Sequence, residues 1–162
     1  MSTNQETGSE SLAVEIERFL TAARQHAERV YSTNLDFSER SIADLDLILA
    51  RLSEMIPRGR LQKLFKKQPA PEQIAGIALM YGIYLGEVLR RKLGGEWRME
   101  TVDGTKAVGL RLPSGVMVYP ASQTYKRLLD PAEAGLQTFF QKVCQTAQKG
   151  ESVPRASPID EP

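Results

Sequence analysis

Apolar positions along this chain recur first with a helical period, then with a period of two, then helically again. Leu12, Ile16, Phe19, Leu20, Ala23, Ala27 and Val30 share one helix face, and Glu17, Arg18, Arg24, Gln25, Glu28 and Arg29 share the other. That spacing predicts an amphipathic first helix over Leu12–Tyr31. Asp36 and Glu39 have capping-box spacing, with Ser38 as an alternative cap, and Ile42, Leu45, Ile48, Leu49, Leu52 and Met55 continue a second helix up to Pro57. The short polar loop between the two predicts an antiparallel hairpin. Pro71 near its start and Gly94-Gly95 after its end delimit a third helix over Pro71–Leu93. Its main apolar face is Ile74, Ile77, Ala78, Tyr81, Leu85, Val88 and Leu89. Ala75, Gly82 and Gly86 form an adjacent stripe where the two glycines imply a closely approaching neighbour.

Beyond Gly95 the period changes to two, which predicts strands over Glu96–Val102, Lys106–Leu112 and Gly115–Tyr119. Asp103-Gly104 and Pro113-Ser114-Gly115 supply the turns. Trp97, Met99, Val108, Leu110 and Leu112 alternate with polar residues, so one face of the meander is expected on the third helix. Pro120 stops the last strand, and a short helix over Ser122–Leu129 follows. Asp130 as cap, Pro131 at the first helical position and Glu133 predict the start of a final helix that buries Leu136, Phe139, Phe140, Val143 and Ala147 and ends at Gly150. The expected class is α+β: an N-terminal helical hairpin and a central buried helix packed on a three-stranded antiparallel meander, with a C-terminal helix. One domain over 12–150 is expected, flanked by the polar segments Met1–Ser11 and Glu151–Pro162 as mobile tails.

Composition narrows the function classes. The chain has 162 residues, 41% hydrophobic and 25% charged, which suits one globular domain. One cysteine, Cys144, excludes an intrachain disulfide, a cysteine zinc cluster and a CxxC redox pair. One histidine, His26, lies at the edge of the first apolar stripe without HExxH or HxxE spacing around it, so no metal site is expected. Cys144 follows Phe140 by one helical turn and reads as a buried structural thiol. No Walker loop, GxGxxG after a strand, GxSxG elbow or EF-hand loop occurs, and neither a cofactor nor a catalytic residue is assigned. The stretch from Ile74 to Gly86 is uncharged but spans 13 residues. A bilayer span needs about 20, so no membrane partner is expected. Met1–Ser11 lacks an apolar signal core, and a cytoplasmic location is expected.

The formal net charge of +1 is unevenly spread. Residues 1–56 carry ten acids and five bases, and residues 57–98 carry three acids and nine bases. Between Pro57 and Pro71, Arg58, Arg60, Lys63, Lys66 and Lys67 face no acid in their own segment, which makes them a candidate surface for another protein, an acidic one above all. Five cations with one aromatic, Phe65, are a poor match to nucleic acid. The second candidate is Glu87, the single charge between Glu72 and Arg90. It is either the acid of an ion pair with Arg90, Arg91 or Arg111, or a half-buried carboxylate acting beside Arg90, Arg111, Lys126 or Arg127.

Tyr81-Gly82-Ile83-Tyr84-Leu85-Gly86-Glu87-Val88-Leu89-Arg90-Arg91, then Gly94-Gly95-Glu96-Trp97, then the Pro120–Arg127 stretch, carry a resemblance over roughly Ser41–Val143. The chain resembles small bacterial domains of unknown function with a Y-G-x-Y-L-G-E core helix, a G-G-x-W turn and a small sheet. The resemblance implies a bacterial source and an α+β fold, and brings no activity, ligand or catalytic residue with it. The first helix lies outside it. Two functions of different class follow from the residues: a non-catalytic protein–protein interaction module of adaptor or inhibitor type, or a small-ligand-binding or hydrolytic domain with its site around Glu87. The oligomeric state is open.

Overall fold

Nine consecutive residues, Tyr81 to Leu89, are all buried on one helix, which requires neighbours on every side of it. The computed structural model describes residues 3–58 and 69–149. The chain runs α1 (Thr3–Tyr31), α2 (Ser41–Glu54), α3 (Pro71–Leu93), β1 (Glu96–Val102), β2 (Thr105–Arg111), β3 (Met117–Val118), α4 (Pro120–Leu129) and α5 (Leu136–Lys149). The fold is α+β, with α3 at its centre.

The glycine stripe of α3 is where α4 and β1 come closest. A Cβ on Gly82 would stand 2.6 Å from the backbone nitrogen of Ala121, and one on Gly86 would run into the Trp97 ring, 2.8 Å from Cζ2 and closer still to Cη2. Both are distances that real Cβ atoms do not tolerate, so only hydrogen at these positions lets α4 and Trp97 sit down. The Thr124 hydroxyl then donates to the Ala78 carbonyl at 2.6 Å, tying α4 to the same face.

β1, β2 and β3 form an antiparallel sheet in that order, with Trp97 opposite Leu110 and Met99 opposite Val108. The β1–β2 turn has Asp103 and Gly104 both at positive φ, 49° and 80°, as a two-residue type I′ turn demands. β3 is shorter than its apolar pattern suggests. Gly115 N–H donates to Leu112 O and Leu112 N–H to Val116 O, so the tight turn consumes the first residues, and Tyr119 already bends into α4.

At three helix starts the structure departs from the leading pattern-based expectation. Helix α1 begins at Thr3, nine residues ahead of Leu12, where a mobile tail was expected. Once the amphipathic part is docked, elongation adds a backbone hydrogen bond for each residue ordered, without a new nucleation cost. Second, α2 is capped by Ser38, whose Oγ accepts from Ser41 N–H at 3.2 Å, while Asp36 Oδ1 accepts from both the N–H and the hydroxyl of Ser38. Third, Asp130 does not open α5. Its carboxylate accepts from Ala132 N–H in a local turn, and the final helix starts one turn later, after Gly135, whose carbonyl accepts from Phe139 N–H. The segments 59–68 and 150–162, with the expected C-terminal tail, lie outside the described residues.

The two N-terminal helices bury their stripes on different partners. α1 lies against α3 and β1, and α2 lies against α4 and α5. The connection between them is itself packed, since Leu35 is fully buried. The core joins Ile16, Leu20, Leu45, Leu49, Tyr81, Tyr84, Leu110, Leu128 and Phe140 across all the helices and the sheet.

Candidate functional site

Glu87 sits on the last buried turns of α3, so its neighbours at i+3 and i+4, Arg90 and Arg91, project from the same side of the helix. Arg90 grips the carboxylate with two nitrogens, Nε to Oε2 at 2.8 Å and Nη2 to Oε1 at 2.9 Å. Arg91 Nε donates to Oε1 at 3.0 Å, and Trp97 Nε1 on β1 donates to Oε2 at 3.4 Å. Both oxygens are thereby used, and the residue is 4% exposed. Burial alone would push this carboxyl up. The hydrogen bonds and positive charge of Arg90, the hydrogen bond from Arg91 and the Trp97 N–H outweigh it and hold Glu87 below its ordinary value. A carboxylate that is ionised, doubly paired and covered is a poor general acid or base, because it has neither a proton to give nor a free lone pair aimed at a cavity.

The cations of the cluster are different, for they face outward. The side chains of Arg90 and Arg91 are 40% and 50% exposed. Arg91 spreads its guanidinium over the Phe37 ring at 3.8 Å from the centroid, and the guanidinium of Arg24 on α1 lies 5.4 Å from the same centroid while its Nε donates to Leu35 O. The Phe37 ring in turn stacks on the buried Tyr84 ring at 4.9 Å and 23°. Phe37 has φ of 64°, in the left-handed region that a bulky residue enters at a cost of order 1–3 kcal/mol. Its N–H donates to Tyr84 Oη at 2.8 Å. Ser41 Oγ gives its one proton to Ser38 O, so Tyr84 must be the donor in the 2.7 Å bond between Tyr84 Oη and Ser41 Oγ. The negative charge of Glu17 acts on Arg90, and that of Asp36, the residue before Phe37, acts on Tyr84.

The remaining sequence-based candidates do not join Glu87. Arg111 is exposed on β2, opposite Glu96. Lys126 is half-buried on α4, and Arg127 donates from Nε to Asp46 Oδ1 at 3.0 Å, on the side of α4 that meets α2. Among the described residues, the ion pairs of Glu87 are those with Arg90 and Arg91. Of the basic stretch, Arg58 is drawn into the fold, where its Nε donates to Leu129 O and its Nη2 to Leu128 O and Ser53 O, covering carbonyls at the ends of α4 and α2. Arg60, Lys63, Lys66 and Lys67 lie outside the described residues.

No group of three His, Cys, Asp or Glu side chains placed to hold a metal occurs among the described residues, and no helix among them is long and apolar enough to cross a membrane. A groove of about 480 Å³ runs between the start of α2, the end of α3 and α5, lined by Glu39, Arg40, Lys92, Phe140 and Cys144. Lys92 and Glu39 pair across it, and burial pushes the Cys144 thiol up, away from the reactive thiolate. No family model matches this chain, and no significant match was found among curated proteins or solved structures.

Sequence reasoning passed over Arg24, Phe37 and Asp46. Arg24 reads as one of many polar-face residues, and nothing in a Leu-Asp-Phe-Ser string announces a left-handed phenylalanine. Asp46 carried a weak signal, since it stands between Leu45 and Leu47 in a largely apolar helix. His26 is half-buried, with Nδ1 2.7 Å from Tyr81 Oη and its ring edge-on to Tyr31 and Tyr81.

Proposed function

We propose that this chain is a non-catalytic interaction module of adaptor or inhibitor type that binds another protein, acidic at the contact, in a bacterial cytoplasm. The observation that supports this over a small-ligand or hydrolytic site is the closure of Glu87. Its two oxygens are taken by Arg90, Arg91 and Trp97, whereas half of the Arg91 side chain remains in solvent. A catalytic carboxylate needs the reverse arrangement, with an oxygen open to substrate and its cations turned inward. The bacterial setting rests on the resemblance of the core helix and the G-G-x-W turn.

The test is affinity capture by the tagged full chain from a native extract, followed by reconstitution with the purified captured protein. The reading expects a stoichiometric complex that weakens with salt. A tightly co-purifying small molecule, lost from a stably folded Glu87→Gln variant, would instead favour the ligand-binding reading.

A further inference from the structure

We propose that Arg24 and Arg91, seated on the Phe37 ring, form a preorganised platform that reads pairs of carboxylates on an acidic peptide segment of a partner protein. The proposal rests on the interaction-module reading and names the surface and the chemistry of its contact.

The first support is how the two guanidiniums are held. Each is anchored through Nε, Arg91 to Glu87 Oε1 and Arg24 to Leu35 O, while Nη1 and Nη2 of both have no hydrogen-bond partner among the described residues. An arginine anchored at Nε presents its Nη pair outward in a fixed plane, the fork that matches a carboxylate with two parallel hydrogen bonds. A free surface arginine loses side-chain entropy on forming such a contact, and these two have already lost it on folding.

The second support is the platform. Phe37 is partly exposed and strained, and core packing alone gives no reason for a phenylalanine at positive φ. Its position is over-determined by the Tyr84 hydroxyl bond to its backbone and the Tyr84 ring beneath it. What the strained ring achieves is to carry both guanidiniums, at 3.8 and 5.4 Å from one centroid, within reach of a single ligand. Backbone strain of this kind persists where a site requires the geometry.

Charge selects the occupant. Glu87 neutralises Arg91 from below at 3.0 Å, and Asp36 directly precedes Phe37 in the chain, so the two guanidiniums do not pool into one concentrated positive well for a compact dianion. Two separate guanidinium forks with acids between and beside them fit single-charge carboxylates spaced along an extended peptide. A phosphate group would have to concentrate its charge at one point of a mixed surface.

The experiment measures fluorescence anisotropy of a labelled Glu-rich peptide and of its Gln counterpart with the full chain, at about 0.15 M salt where long-range attraction is screened. Saturable binding of the Glu peptide alone is expected. Arg24→Lys and Arg91→Lys, each keeping the charge but losing the fork, should each weaken it roughly tenfold or more, about the worth of one charge-assisted hydrogen bond. Phe37→Leu, which keeps both arginines and loses the platform, should weaken it as well, and Arg111→Lys on the sheet should not. Urea unfolding confirms that each variant is folded. Lysine variants that bind like the unaltered protein would overturn the proposal, as would binding of inorganic phosphate with no binding of the Glu peptide. A captured protein that rebinds equally well to Arg24→Lys and Arg91→Lys would sink the platform while leaving the interaction-module reading intact.

Discussion

Glu87 on α3 and Asp46 on α2 each hold an arginine at close range, but their partners come from opposite ends of the sequence scale. Glu87 is served by Arg90 and Arg91, three and four residues on, with Trp97, ten residues away, as its hydrogen-bond partner from another element. Asp46 accepts from Arg127, 81 residues away, and from the Leu136 N–H, 90 residues away, through the same Oδ1. The first cluster needs little more than a helix. The second joins three helices, because one carboxylate oxygen binds α4 by its arginine and caps the free N-terminus of α5. The comparison teaches that the buried acid, conspicuous in sequence, organises its own surroundings, while the inconspicuous half-buried acid organises the docking of the C-terminal third.

The largest effect is expected from Gly86→Leu, which removes the hydrogen bond that β1 makes to Glu87 by unseating Trp97. Overpacking should exceed the roughly 1 kcal/mol of helix propensity regained and leave a net loss of about 2 kcal/mol. Urea unfolding followed by the fluorescence of Trp97, the sole tryptophan, reads both stability and ring environment. An unchanged midpoint and emission would mean that Trp97 is not seated on Gly86. Glu87→Gln comes next. It leaves two guanidiniums without their anion, but both are 40–50% exposed and regain water, so the loss should be about 1.5 kcal/mol rather than the roughly 3–5 kcal/mol of a fully buried orphan charge.

Asp46→Asn should cost less, about 1 kcal/mol, because the amide oxygen still accepts from Leu136 N–H and the charge on Arg127 is what loses its partner. Its distinguishing signature is spatial: amide exchange should accelerate at the start of α5 and along α4 and stay unchanged in α3. Uniform acceleration through the molecule would erase the contrast between the two acids. The smallest effect is a pH dependence. The folded-state value of Glu87 lies below the ordinary 4.5, so its charge contributes stability that is present above about pH 4.5 and is lost as pH falls through the folded value. The gap between the unaltered protein and Glu87→Gln should therefore narrow as pH falls below about 4.5. A gap that stays constant would mean that the Glu87 carboxylate is not favoured by its arginines.

Much of this architecture is written locally. A period of 3.6 or 2 follows from where Cβ atoms point on a helix or a strand, so α3, β1 and the Asp103-Gly104 turn are legible within a residue or two. For the same reason the Glu87 pairs are legible, since i+3 and i+4 are neighbours on any α-helix. The start of α5 was misplaced because Asp130, Pro131 and Glu133 satisfy a local capping rule, while the actual first N–H is satisfied by Asp46 across the fold. Arg58 was expected on the surface, and its hydrogen bonds to the end of α4 depend on how α2 and α4 dock. The Phe37 platform needs α1, the connection and α3 together, with a positive φ that Tyr84 imposes from 47 residues away. Steric preferences of the backbone act over a few residues and therefore appear in the order of amino acids. Which side chains meet across the core is decided by the simultaneous packing of all the elements, and that exists only once the chain has folded.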